Sequence, residues 1–175
     1  LGNTTAALEA FDHALWLDQN NPDIWNARGN ALRSLGNQST AIESFSRAIA
    51  LSPLDPVPWN NMGNIFIEMG NATAGLEAFD QAVALDPGYA SAWNGRGYAL
   101  EQIGNVTGAL EAFDRAIALD PESDEARRNR DRVVAEREAN ATPTRDAGSS
   151  LVLSVLVVGS AGAFALAVFC RGRQS

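Results

Sequence analysis

The chain has 175 residues, a formal net charge of −8, one Cys, one His and no Lys. One Cys excludes an intramolecular disulfide framework, and a lone His offers no cluster for a metal and no basis for a His-based catalytic triad. The acidic balance argues against a surface for nucleic acid. We therefore expect a protein that is not an enzyme, and we assign no catalytic, cofactor-binding or metal-ligating residue.

From its first residues to about residue 123, the sequence repeats itself at a spacing of 34 residues. Each copy carries a Trp, a Gly four residues later, a Gly-Asn pair, a Phe and a Leu in the same order. These positions are Trp25, Trp59 and Trp93; Gly29, Gly63 and Gly97; Asn37, Asn71 and Asn105; Phe11, Phe45, Phe79 and Phe113; and Leu17, Leu51, Leu85 and Leu119. Such a fixed period indicates one supersecondary unit that has been copied.

Apolar residues recur with a helical period on both sides of each Gly-Asn pair, which predicts two helices joined by a short turn. The glycine of the pair suits the left-handed residue that ends a helix. We expect Ser39, Thr73 and Thr107 to cap the second helix of their units. The glycine inside the first helix allows the second helix to approach closely and to pack its Phe there.

These residues resemble the tetratricopeptide repeat, a helix-turn-helix unit with Trp, Gly, Ala, Phe and Pro signposts. The resemblance implies an all-α fold, a right-handed α-solenoid over residues 1–123, with a half unit at 1–21 and whole units at 22–55, 56–89 and 90–123. Arg28 and Arg96 depart from the family pattern, which often has an apolar residue there. Because the array starts with half a unit, we expect further repeats upstream of Leu1.

The remaining third of the chain contains a charged segment, then a polar linker, then an uncharged apolar segment. Residues 124–138 keep a helical pattern with many charges and predict a polar capping helix, and residues 139–150 predict a juxtamembrane linker. Residues 151–170 are 20 uncharged, mostly apolar residues, enough for one C-terminal transmembrane helix. The short basic tail at 171–175 carries Arg171 and Arg173 beside the span, which favours a cytoplasmic C-terminus.

Five Asn-x-Ser/Thr sequons are candidate N-glycosylation sites, at Asn3, Asn37, Asn71, Asn105 and Asn140. A structural explanation is open for four of them, because Asn suits turns and a hydroxyl two residues later suits a helix start. Their recurrence in every unit and again before the apolar segment favours glycan acceptors. Occupied sequons would form a ridge of N-linked glycans along one edge and would place the repeats outside the cell.

In the tetratricopeptide family, the first helix of each unit lines a concave groove that binds peptides or partner helices. The resemblance assigns to this groove Asp23, Asn26, Asn30, Arg33, Val57, Asn60, Asn64, Ile67, Ser91, Asn94, Tyr98 and Glu101. The amides of Asn26, Asn60 and Asn94 either pair with the backbone of an extended partner or bond within and between repeats. The basic clamp with which some family members hold a terminal carboxylate is missing.

We therefore predict a non-catalytic interaction or structural scaffold, displayed on the cell surface as an N-glycosylated solenoid and able to stack end to end into filaments. Its partners would be a protein or peptide or copies of itself, with the membrane at its C-terminal span and no nucleic acid. The Gly-Asn-x-Thr turns and the absence of Lys resemble surface tetratricopeptide proteins of methanogenic archaea. Two alternatives stay open: a cytoplasmic tail-anchored adapter, and the repeat portion of a larger enzyme.

Overall fold

The computed structural model describes residues 2–141, with side chains from residue 4 to residue 140. The predicted span at 151–170, the tail at 171–175 and most of the linker lie outside the described residues. Within residues 2–141, no helix combines the length and the apolar character that crossing a membrane requires.

The described part is all-helical, as the repeat pattern predicts. Its eight helices are α1 (Gly2–Leu17), α2 (Pro22–Ser34), α3 (Gln38–Leu51), α4 (Pro56–Glu68), α5 (Ala72–Leu85), α6 (Ala90–Gln102), α7 (Val106–Leu119) and α8 (Asp124–Ala141). Each whole unit therefore contains a first helix, α2, α4 or α6, and a second helix, α3, α5 or α7.

The first helix of each unit ends in a left-handed glycine, as the sequence predicts. Gly36, Gly70 and Gly104 have φ angles of 77°, 76° and 84°. After α2, the Asn37 N–H donates to the Leu32 carbonyl and the Gly36 N–H donates to the Arg33 carbonyl, both at 2.9 Å. These two bonds form a Schellman motif, which satisfies carbonyl groups that the helix end would leave without partners.

The prediction that Ser39, Thr73 and Thr107 cap the second helices is wrong. Those helices begin one residue after each sequon Asn, so the hydroxyl residues lie inside the first turn. The Asn takes the capping position instead: Asn71 Oδ1 accepts from the Ala74 N–H at 3.1 Å, and Asn105 Oδ1 accepts from the Gly108 N–H at 3.0 Å. The Schellman turn is so short that the residue after its glycine already stands at the helix start.

A glycine on each first helix lets the two helices of a unit pack closely. A Cβ added at Gly29 would lie 2.6 Å from the Phe45 ring, and one added at Gly63 would lie 2.7 Å from the Phe79 ring. Phe45, Phe79 and Phe113 are fully buried. The glycine is required because a methyl group would occupy the space of the ring.

The first helices form the inner surface of the stack. In the described residues, α2, α4, α6 and α8 contact one another in sequence, whereas α1, α3, α5 and α7 contact first helices and not each other. Helices that touch one another on one side of a stack, with helices that stay apart on the other side, make the stack curve. The first helices therefore lie on the concave side, and their side chains can contact the same partner.

The last of the described helices, α8, packs as a polar cap. Ala126 and Val133 are buried, and Val133 joins the core that contains Leu100 and Phe113. The helix continues to Ala141, three residues beyond the predicted end at 138. The sequence explains the extension, because the next helix-breaking residue after this stretch is Pro143.

Candidate partner-binding groove

The inner surface contains a cavity of about 390 Å³ between α4, α6 and α8. It is lined by Arg33, Asn60, Asn64, Ile67, Glu68, Phe79, Ala90, Ser91, Asn94, Gly95, Tyr98, Asp120, Ser123, Glu125 and Asn129. The structure thus brings together seven of the twelve residues that the family resemblance assigns to a groove. The other five, which lie on the same first helices but outside the cavity, are Asp23, Asn26, Asn30, Val57 and Glu101. That these residues bind a partner stays a prediction.

Two members of the asparagine ladder bond across neighbouring units. Asn61 Nδ2 donates to Asn26 Oδ1 at 3.0 Å, which joins α4 to α2. In the same way, Asn129 Nδ2 donates to Asn94 Oδ1 at 3.0 Å, which joins α8 to α6. For Asn26 and Asn94, the bond between repeats is therefore the interpretation that the structure favours.

The middle member of the ladder is different. Asn60 is 6% exposed, and none of the described side chains forms a hydrogen bond with its amide. Its partner position, 34 residues after Asn61, is occupied by Gly95. A Cβ at Gly95 would lie 2.4 Å from the Phe79 ring, so this ring occupies the space beside Gly95, whereas Phe45 and Phe113 at the equivalent positions leave room for Asn61 and Asn129. The cavity lies at this interruption of the ladder.

Two ion pairs hold neighbouring helices of the inner surface together, and the first of them lines the cavity. Arg33 Nε donates to Glu68 Oε1 at 2.8 Å, which joins α2 to α4. Arg132 donates to both carboxylate oxygens of Glu101, which joins α8 to α6, and these bonds raise the pKa of the Arg132 guanidinium. Arg33 and Glu101, both predicted groove residues, are thus committed to structural pairs.

The paired Arg33 leaves the cavity with an acidic character. Of its four charged lining residues, Arg33 and Glu68 neutralise each other. The other two are the carboxylates of Asp120 and Glu125, and Asn94 Nδ2 donates to Glu125 Oε1 at 3.1 Å. The local potential therefore favours a cation over an anion.

On the outer side, the two arginines that depart from the family pattern form ion pairs between units. Arg28 Nε lies 2.7 Å from Asp12 Oδ1, and Arg96 Nε lies 2.6 Å from Asp80 Oδ1. A third pair at the same spacing joins Arg130 to Asp114, and its hydrogen bond raises the pKa of the guanidinium. Sequence analysis missed these pairs, although Asp and Arg recur together at the repeat spacing.

Each of these arginines within the repeats also lies over a tryptophan. The guanidinium of Arg28 is 5.8 Å from the centre of the Trp25 ring, and that of Arg96 is 5.6 Å from the centre of the Trp93 ring. The indoles in turn donate to the turn before the unit, Trp25 to the Gln19 carbonyl at 2.9 Å and Trp93 to the Pro87 carbonyl at 3.0 Å. These tryptophans therefore lie at unit junctions.

The sequons differ in their surroundings. Asn37, Asn71 and Asn105 are exposed and lie at equivalent turns, on one edge of the stack. Asn140 is exposed in the last turn of α8, and Asn3 lies in α1 with its side chain outside the described residues. Because the cap uses Oδ1 and a glycan bonds to Nδ2, capping and glycosylation are compatible at the turns.

Comparison with known proteins identifies the repeat. Models of the tetratricopeptide repeat match residues 29–70 and 60–124. A search of curated proteins gave no match. Among solved structures, the chain is similar to the Sgt2 TPR domain from Aspergillus fumigatus, with 26% identity and a TM-score of 0.67 over 74% of this chain and 89% of that one.

Two further structures share the fold. The first TPR of Spaghetti (RPAP3), solved bound to the HSP90 peptide SRMEEVD, is 21% identical, with a TM-score of 0.66 over 69% of this chain and 96% of that one. MamA is 22% identical, with a TM-score of 0.64 over 81% and 93%. Together with the family models, which run from residue 29 to residue 124, these likenesses assign the chain to the tetratricopeptide-repeat proteins.

Proposed function

We propose that this protein is a non-catalytic interaction scaffold whose inner surface, formed by α2, α4, α6 and α8, binds an extended segment of a partner protein. The cavity of about 390 Å³ on that surface carries the proposal. Its size is within the range of roughly 300–1,000 Å³ that ligand pockets occupy. The RPAP3 domain, which shares the fold, was solved with a peptide, and this supports a peptide as the partner here.

The inner surface offers the groups that an extended chain needs. Asn60 and Asn64 provide amides that both donate and accept, and Ser91 and Tyr98 add hydroxyl groups. Inter-helix bonds such as Asn26–Asn61 and Arg33–Glu68 hold the first helices in place before a partner arrives. A groove that is already ordered loses less entropy on binding.

The charge of the cavity argues against an acidic partner. Asp120 and Glu125 face it, and Arg33 is neutralised by Glu68. An acidic peptide such as that of the RPAP3 complex would meet carboxylates of its own sign. We therefore expect the partner segment to be neutral or basic where it crosses α6.

Photo-crosslinking tests this function. A photoreactive amino acid at Asn64 or Ser91, on the inner surface, should crosslink a partner in the native source. The same residue at Glu77 or Glu111, exposed on the second helices, is the matched control and should not. Crosslinks that form from the second helices and not from the first would contradict the proposal, and crosslinks to identical chains would point to self-association into filaments.

We further propose that the repeats are displayed outside the cell, anchored by residues 151–170 and glycosylated at the sequons. Support comes from the uncharged apolar run and from the exposure of Asn37, Asn71 and Asn105. Intact mass spectrometry of protein from its native source, before and after deglycosylation, should find extra mass at these three residues. Unmodified Asn at all five sequons would favour the cytoplasmic tail-anchored adapter instead.

A further inference from the structure

The cavity on the inner surface has a polar group that the fold leaves without a partner. Asn60 is more than nine-tenths buried and lines the cavity, yet no described side chain bonds with its amide. The equivalent amides of Asn26 and Asn94 have Asn partners. Among the described residues, every side-chain nitrogen or oxygen atom that is closed off from solvent is hydrogen-bonded, so the Asn60 amide is accessible through the cavity and is available to a ligand.

The floor of the cavity is apolar. Ile67 and Ala90, which are partly exposed, supply aliphatic surface, and the fully buried Phe79 ring packs against Gly95, where a Cβ would come within 2.4 Å of it. Such a floor accommodates the methylene stem of a long side chain, because Lys and Arg bury their stems while the charged head stays at a polar rim.

The rim places negative charge where that head would lie. Asp120 and Glu125 line the cavity, and the bond from Asn94 orients the Glu125 carboxylate. We propose that this cavity is a subsite for a Lys or Arg side chain of the extended segment bound by the inner surface. The stem would lie on the floor, the cation would face Glu125, and Asn60 would bond with the peptide backbone. This inference rests on the proposed function and names the chemistry of its partner.

The test uses the full chain, isotope-labelled and kept in detergent micelles. Three capped peptides, Ala-Ala-Arg-Ala-Ala and its citrulline and Glu counterparts, are titrated while NMR follows the Asn60 side-chain amide and the Gly95 N–H. We expect saturable shifts with the Arg peptide, about threefold to tenfold weaker binding of the citrulline peptide, and no binding of the Glu peptide. The Asn26 and Asn61 side-chain amides, which are already bonded to each other, should not shift.

A carboxylate variant assigns the charge. Glu125→Gln should weaken binding of the Arg peptide about threefold and leave the citrulline peptide unchanged. Glu111→Gln, on the outer helix α7, removes the same charge elsewhere and should change neither. Matching unfolding curves for the two variants would exclude a folding defect as the cause.

Three outcomes would overturn the subsite. The first is equal binding of the Arg and citrulline peptides, and the second is an Asn60 amide signal that does not shift at saturation. The third is binding of free methylguanidine as tight as that of the Arg peptide, which would indicate a site for a free cation. If Asn60 stays silent while Asn64 still crosslinks a partner, the subsite fails and the proposed function stands. If the Arg peptide shifts Asn60 while partners crosslink only from the second helices, the proposed function fails.

Discussion

The junction between units 22–55 and 56–89 and the junction between units 56–89 and 90–123 share the same helices and turns but differ in their polar bonds. At the first junction, Asn26–Asn61 and Arg33–Glu68 join the first helices on the inner side. At the second junction, no described side-chain hydrogen bond joins α4 to α6, and the cavity lies there instead.

The outer side has the opposite arrangement. The second junction has the Asp80–Arg96 pair, whereas Ser46 and Met62 occupy these positions at the first. Side-chain bonds thus join the first junction on its inner side and the second junction on its outer side. Copies of one unit therefore preserve the apolar packing, and a few polar substitutions decide which part of the inner surface stays open to a partner.

The largest effect should come from Phe79→Ala, which removes the ring beneath the open junction. We expect a loss of about 3–5 kcal/mol in the free energy of unfolding, because a fully buried ring is lost and a void remains. Urea unfolding followed by circular dichroism measures it. Phe45→Ala is the matched control at the other junction and should cost a similar amount. A Phe79→Ala loss well below 1 kcal/mol would mean that the ring does not fill the space beneath Gly95.

Gly95→Asn would convert the second junction toward the first. We expect it to cost about 1–3 kcal/mol, because its Cβ would overlap the Phe79 ring. In the Phe79→Ala background the new side chain gains room to reach Asn60, so the cost should disappear. A double-mutant cycle measures this coupling. Additive costs would show that Phe79 is not what excludes an Asn at position 95.

The helix caps give a third comparison between the same two units. Asn71 caps α5 with its side chain, and Asn37 at the start of α3 makes no such bond. Asn71→Ala should therefore cost about 1 kcal/mol, and Asn37→Ala should cost less, as measured by thermal unfolding of unglycosylated protein. Equal losses would contradict the assignment of the cap.

Arg96→Met with Asp80→Ser would give the second junction the outer residues of the first. Arg96→Met alone should cost about 0.2–1 kcal/mol, because the ion pair is partly exposed, with side chains 28% and 46% accessible. Adding Asp80→Ser should restore part of that loss. Urea unfolding at low and high salt checks both, and a loss that salt does not reduce would rule out the charge pair as its source.

The smallest effect should appear at alkaline pH at Tyr89, which is the N-cap residue of α6 at the open junction. Burial, followed by the carboxylates of Asp55 and Asp86, raises the pKa of its phenol. The neutral phenol is thus favoured in the folded state, so this stability is present below the ordinary value of about 10 and is lost as the pH rises through the raised pKa. Tyr89→Phe should reduce the alkaline loss. An unchanged pH profile of the unfolding midpoint would contradict this.

Most of the fold could be predicted from the sequence because its signals are local. Gly36, Gly70 and Gly104 mark helix ends through their own backbone freedom, and the apolar period marks the helix faces. The caps were misassigned because a shift of two residues in a helix start exchanges Asn71 for Thr73. Such a boundary is a small difference in backbone hydrogen bonding that composition does not reveal.

The candidate site was predictable as a surface and not as a set of bonds. The family resemblance placed Asn26, Asn60 and Asn94 on one face, and they do lie on successive first helices. That two of them are bonded and one is not depends on residues 35 positions away, Asn61, Gly95 and Asn129.

By itself, the sequence determined the helix pairs, the left-handed turns and the closely packed glycine and phenylalanine positions, because these follow from periodicity and from the conformational range of single residues. The tertiary structure decided which asparagine remains unpaired and which arginine meets which aspartate. Those choices depend on how one unit stacks on the next, as where the Phe79 ring fills the space beside Gly95, and no local sequence pattern describes that space.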